Sequence, residues 1–164
     1  MRALDDFSTP TPTTIRVVRA FEAPLALVWR AHTEPELVKQ WMTGPEGHSL
    51  PVCEIDFRIG GTARYVWRNA DFDMGMTAEF KDIVEHERIV YTEDYDGWPE
   101  GATTVTATFT EDNGKTIINV DIEYQSTEAR DMAMQPGFEE GYASSYTHLD
   151  GILSDLESNP SSQR

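Results

Sequence analysis

Two hydrophobic periods divide the chain. Between 50 and 124 apolar and polar residues alternate with a period of two, the pattern of antiparallel strands with one buried and one solvated face. Cys53, Ile55, Phe57 and Ile59 fall on one side of the first run, against Val52, Glu54, Asp56 and Arg58. Ala63, Tyr65 and Trp67 share a face of the next, Met74, Met76, Ala78 and Phe80 of the third, and Ile89, Tyr91, Glu93 and Tyr95 of the fourth. Thr103, Val105, Ala107 and Phe109 alternate with Thr104, Thr106, Thr108 and Thr110. Thr116, Ile118, Val120, Ile122 and Tyr124 alternate with polar partners such as Asn119, Asp121 and Glu123. Gly60-Gly61 reads as a tight turn, and Asn113-Gly114 is the strongest hairpin signal in the chain. With the β-rich run 15–21 ahead of them, these stretches predict seven strands.

The period lengthens on either side of that block. After Pro24, which suits the first turn of a helix, Leu25, Val28, Trp29 and His32 recur at helical spacing. Thr33-Glu34-Pro35-Glu36 has capping-box spacing and opens a second short helix with Leu37, Val38 and Trp41 on its apolar side, ended by Gly44-Pro45-Glu46-Gly47. In the C-terminal third Ser126 or Thr127 is placed to cap a helix, and Pro136-Gly137 to break or bend it. Phe138, Tyr142, Ser145, Leu149, Ile152 and Leu156 form one stripe beyond. The order is strand, two short helices, six strands, long helix. Residues 14–157 read as one domain, with disordered tails at 1–13 and 158–164. The expected architecture is α+β: a curved seven-stranded antiparallel sheet wrapped around the long C-terminal helix, with two short helices between strands 1 and 2. Such a curl leaves room for a pocket between sheet and helix.

Composition narrows the partners. The 164 residues carry 29 Asp and Glu against 13 Lys and Arg, a formal charge of −16. That balance disfavours nucleic acid, whose phosphates recruit Lys and Arg, and disfavours an anionic membrane surface. The two short helices resemble a DNA reader's helix-turn-helix in spacing only, because 22–48 holds Arg30 and Lys39 against four Glu. A single cysteine makes no intramolecular disulfide or Cys-based zinc site, so a cytoplasmic setting is expected. No run approaches the roughly 18 apolar residues of a membrane span.

Several stretches, in order and at the usual separations, carry a family likeness. They are Arg19-Ala20-Phe21-Glu22-Ala23-Pro24, Val28-Trp29-Arg30-Ala31, Trp41-Met42-Thr43-Gly44-Pro45 and Asp56-Phe57-Arg58-Ile59-Gly60-Gly61. Later come Glu79-Phe80, Glu87-Arg88-Ile89-Val90-Tyr91, and Gly137-Phe138 leading to Leu149-Asp150-Gly151-Ile152-Leu153. In these the chain resembles the helix-grip (START-like, SRPBCC) superfamily, and within it the bacterial homologues of the heat-shock-protein-ninety ATPase activator. The resemblance implies the helix-grip fold and a cavity. Its implied functions are binding of a small hydrophobic or aromatic molecule, polyketide cyclase- or dehydratase-like catalysis, or a chaperone contact in the stress response.

Catalytic groups are hard to single out. His32, His48, His86 and His148 lie far apart with no local metal-ligand spacing, so neither metal nor cofactor is expected. Cys53, on the face of Ile55 and Phe57, reads as a structural thiol. No catalytic residue is named. Arg64 and Glu79 alternate with Tyr65 and Phe80, and they face solvent if the apolar residues face the cavity. The aromatic and methionine positions supply the candidate walls: Trp41, Phe57, Tyr65, Trp67, Met74, Met76, Tyr91, Met132, Met134, Phe138, Tyr142 and Tyr146, with Val105, Ala107, Ile118 and Val120 from the last two strands. Met132 and Met134 are expected at the entrance, and a buried Tyr65 or Tyr91 as a hydrogen-bond donor to a ligand. Open strand edges would also permit a homodimer.

Overall fold

The computed structural model describes residues 3–135 and 137–158. In chain order its elements are β1 (Asp6–Ser8), β2 (Thr14–Phe21), α1 (Leu25–Thr33), α2 (Pro35–Trp41), β3 (Ser49–Ile55), β4 (Thr62–Arg68), β5 (Asp73–Val84), β6 (Arg88–Tyr95), β7 (Trp98–Asp112), β8 (Lys115–Tyr124), α3 (Thr127–Ala133) and α4 (Phe138–Ser158). The strands form one antiparallel sheet in the order β1-β2-β8-β7-β6-β5-β4-β3. Register shifts in β3, β5 and β6 bend it, as bulges do.

The sheet has eight strands rather than seven. The added one, β1, lies within the segment read as a tail and pairs Asp6, Phe7 and Ser8 with Val18, Val17 and Arg16. An open edge of β2 offers unpaired backbone groups to any nearby chain. Asp5 secures the pairing, its N–H donating to the Val18 carbonyl and its Oδ2 accepting from the Ala20 N–H at 2.6 Å. Phe7 adds an apolar anchor, its ring 6.0 Å from that of Phe138.

Two local expectations need correction. Strand β3 ends at Ile55, so the expected turn at Gly60-Gly61 is a longer loop over 56–61. Gly61 makes that loop possible: a Cβ there would lie 2.1 Å from the Asp56 carbonyl oxygen. Phe57 thereby leaves the strand and wedges between Trp29 and Phe80, while Ile59 is 60% exposed. The capping box of the second helix does not form, because Thr33 is the last residue of α1 and its hydroxyl donates to the Trp29 carbonyl. Glu34 takes the N-cap position of α2, with Pro35 at its first turn. The C-terminal helical run breaks into α3 and α4 where the Pro136-Gly137 signal predicts a break or bend. Ser126 caps α3, accepting from the Ala129 N–H, and α4 begins after Gly137, whose φ of 108° suits glycine. Pro136 and the expected tail residues 159–164 lie outside the described residues.

The Asn113-Gly114 hairpin is present, with φ of 52° and 78° between the paired Asp112 and Lys115. Helix α4 lies over the concave face and packs beside α1 and α2. At its C-terminal half, fully buried Arg19 of β2 meets Asp150 through two hydrogen bonds of 3.0 and 2.5 Å. The edge-on ring contact of Phe21 with Tyr146, 5.1 Å, continues the seam. The Gly44 N–H donates to Ser145 Oγ and joins α4 to the loop after α2. Ile15, Val17, Val105, Ile118, Ile122 and Leu149 form the sealed centre between sheet and helix.

Candidate functional site

Strand register places one carboxyl on the concave face. Glu93 of β6 pairs with Ala78 on β5 and Thr103 on β7, and these pair in turn with Ala63 on β4 and Tyr124 on β8. The row reads Ala63, Ala78, Glu93, Thr103, Tyr124. Two alanines, small side chains, stand beside the acid in this row. The row on one side reads Cys53, Tyr65, Met76, Tyr95, Trp98, and that on the other Phe80, Tyr91, Val105, Ile122. Aromatic side chains thus wall the acid on both sides, and α4 brings Tyr142 and Tyr146 from above, their rings 5.7 Å apart.

Glu93 is 9% exposed. Its Oε1 accepts from the Thr103 hydroxyl at 2.9 Å and from the Tyr95 hydroxyl at 3.5 Å. Among the described residues its Oε2 has no hydrogen-bond partner, and it is not one of the sealed, unpartnered side-chain polar atoms, which are Arg19 Nε, Arg30 NH1 and His32 Nε2, so Oε2 keeps accessible surface. Burial pushes the carboxyl up to about 7, against the smaller downward pull of Thr103 and Tyr95. No basic side chain takes part in that balance.

The tyrosines are also unspent. Among the described residues no protein group is hydrogen-bonded to the hydroxyls of Tyr65, Tyr91, Tyr124, Tyr142 or Tyr146, and none of these oxygens is sealed. Burial, first, and then for most of them the nearby Glu93 hold these phenols well above their ordinary range, so they are neutral donors. Tyr91 and Tyr142 keep partial access although both point into the sheet–helix space. Trp98 folds over Gly101, where a Cβ would lie 2.1 Å from its ring.

The candidate wall residues fall into groups. Tyr65, Met76, Tyr91, Val105, Tyr142 and Tyr146 surround the Glu93 row. Trp67 stacks on Tyr65 and donates from its indole N–H to the Met42 carbonyl at 2.9 Å. Ala107 and Val120 lie two rows from Glu93 towards Arg19 and Ile118 three, in the sealed core. Trp41 joins the helices, donating to the Ala31 carbonyl and lying against His32. Phe57 sits at the far side of Phe80. Met74, 41% exposed, pairs with Trp67 at the outer end of β5, and Met132 is 59% exposed on α3. Met134 and Phe138 line a separate surface cleft of about 620 Å³ with Leu4 and Phe7. Arg64 and Glu79 point outward, to Asp96 and Lys81.

Glu93 was not singled out as a site residue from the sequence. The signal was an acid at an inward position, between Tyr91 and Tyr95 in a period-two run.

The family model described as activator of Hsp90 ATPase homolog 1-like protein matches residues 22–154. None of the curated proteins compared matches. Among solved structures, a protein of Rhodobacter sphaeroides is 26% identical with a TM-score of 0.86, covering 92% of this chain and 98% of its own. A protein of Mycobacterium smegmatis is 24% identical with a TM-score of 0.82, over 92% and 96%. One of Nitrosomonas europaea is 21% identical with a TM-score of 0.81, over 92% and 99%. The last two speak to the fold alone.

Proposed function

We propose that this chain, which belongs to the activator of Hsp90 ATPase homolog 1-like family, binds a small, mostly apolar molecule between its curved sheet and α4, in the cytoplasm. The observation that carries this reading is unspent polarity. Five phenol hydroxyls and one carboxylate oxygen lie between the aromatic rows and α4 with no hydrogen-bond partner among the described residues. Buried polar groups are ordinarily satisfied within the protein or by water, and a pocket that orients a ligand keeps a few free for it. Burial of the ligand's apolar surface supplies the affinity, at about 25 cal/mol per Å².

The neutral dye Nile red provides the test. It is expected to bind and brighten, with one site per chain. The double variant Tyr91→Phe/Tyr142→Phe separates a pocket from packing. These hydroxyls satisfy nothing in the protein, so its stability should stay within about 0.5 kcal/mol of the parent. Its affinity for ligands that carry a hydrogen-bond acceptor is expected to fall several-fold. Equal losses of stability and binding would assign the tyrosines to the core alone.

A second reading is favoured by Glu93 itself. A buried carboxyl poised near neutral pH, beside phenol donors able to polarise a carbonyl, suits removal and return of a proton α to that carbonyl. Deuterium uptake by acetophenone in heavy water checks it by NMR. Exchange above background that disappears in Glu93→Gln supports an acid–base enzyme, and background rates throughout leave binding as the function.

A further inference from the structure

An ionised carboxylate in a protein interior ordinarily has a counter-charge. Glu93 has none. The buried guanidinium of the same sheet face, Arg19, is engaged by Asp150, and no basic side chain acts on Glu93. The groups that face it are Tyr65 from β4, Tyr91 and Tyr95 from β6, Thr103 from β7, Tyr124 from β8 and Tyr142 from α4. Cys53 of β3 lies beyond Tyr65, its thiol pushed up to about 11 mainly by burial. All of these are neutral across the range in which Glu93 titrates.

What the surroundings offer instead is π surface. Tyrosine and tryptophan rings present negative faces, and a cation within about 6 Å of a ring centroid is attracted to them. A carboxylate oxygen with no partner, walled by aromatic rings, is complementary to an organic cation. A ligand carboxylate would be repelled there. A neutral apolar ligand would leave the acid uncompensated. The chain's net charge of −16 adds a long-range field of the same preference.

Resting on the pocket reading above, we propose that the preferred ligand is an aromatic or aliphatic organic cation, its ammonium group against Glu93 Oε2 and its apolar body among Tyr65, Tyr91, Tyr95 and Tyr142. Binding then selects the ionised acid and releases a proton. Affinity for a cation of fixed charge rises with pH until Glu93 is ionised in the free protein, then levels off.

Displacement of Nile red from the full chain tests this, using phenyltrimethylammonium and its uncharged carbon isostere tert-butylbenzene. At pH 8 the cation is expected to displace the dye at least tenfold more effectively than the isostere. The preference should fall about tenfold by pH 6 and be absent in Glu93→Gln. The pH profile of the parent chain gives the same discrimination without a substitution. Equal or better displacement by tert-butylbenzene at pH 8, or an undiminished preference in Glu93→Gln, overturns the cation and leaves the pocket standing. Failure of Nile red and both probes to bind overturns the pocket and the cation together.

Discussion

Asp150→Ala is expected to destabilise the protein by about 3–5 kcal/mol, because it leaves the guanidinium of Arg19 buried without a counter-charge. Arg19 is fully buried, and besides Asp150 it donates to the Ala20 carbonyl. Its Nε is already unsatisfied. Removing Asp150 therefore strands a cation among Phe21, whose ring lies 4.9 Å away, and the apolar seam of α4. Urea denaturation followed by tryptophan fluorescence measures the loss. The double variant Arg19→Met/Asp150→Leu separates charge from shape. An apolar pair of similar volume is expected to restore most of the stability, because breaking one side of a buried pair costs far more than replacing both. A double variant as unstable as Asp150→Ala would mean that the pair contributes through geometry that apolar side chains cannot reproduce.

The second large effect is on pH. The Glu93 carboxyl stands at about 7 in the folded chain against an ordinary 4.5. A raised carboxyl contributes stability that is complete below 4.5 and is lost as pH rises through 7. His32 works in the opposite sense. Its Nδ1 lies 2.8 Å from the Val28 carbonyl and donates to it, Nε2 is sealed without a partner, and burial brings the ring down to about 4 from 6.5. Its contribution is complete above 6.5 and is lost as pH falls towards 4. Each interval corresponds to about 3 kcal/mol. Between 4.5 and 6.5 the two slopes oppose and nearly cancel. Relative to the parent chain, Glu93→Gln should gain stability as pH rises through this window, and His32→Phe should gain it as pH falls. Urea midpoints at pH 4.5, 5.5, 6.5 and 7.5 check both. Variants that track the parent at every pH would show that neither group titrates between the folded and unfolded chain.

Much of the fold was legible because strand faces write themselves in alternation. The inward residues of β4 to β8 follow the period-two reading through Tyr65, Met76, Val105, Val120 and Ile122. Ser126 and Asn113-Gly114 are local signals, and the structure uses them as expected. Strand β1 was not legible, because it is short and polar and is held by an edge that exists only once β2 has docked. The failed capping box has a similar cause: Thr33 is captured by the helix before it rather than the one after. For the site, aromatic positions were legible in the sequence but their depth was not. Met132 and Tyr142 look alike in a list, yet one lies out in solvent and the other faces Glu93. Depth was decided by where α4 lies, and two of the resembling stretches contain the residues that set it, Arg19 and Asp150.

That fastening also has a kinetic side. Helix α4 is secured from its middle onward, where Ser145 accepts from the Gly44 N–H and Asp150 grips Arg19. Two turns ahead of Ser145, Phe138 meets Phe7 of β1 through a ring contact. Rings slide past one another more readily than a bidentate ion pair breaks. On the pocket reading proposed above, exchange of a bound molecule would be a hinged event with its free edge at Phe138. The residence time would then be set at the opposite end of the helix from the pair that anchors it.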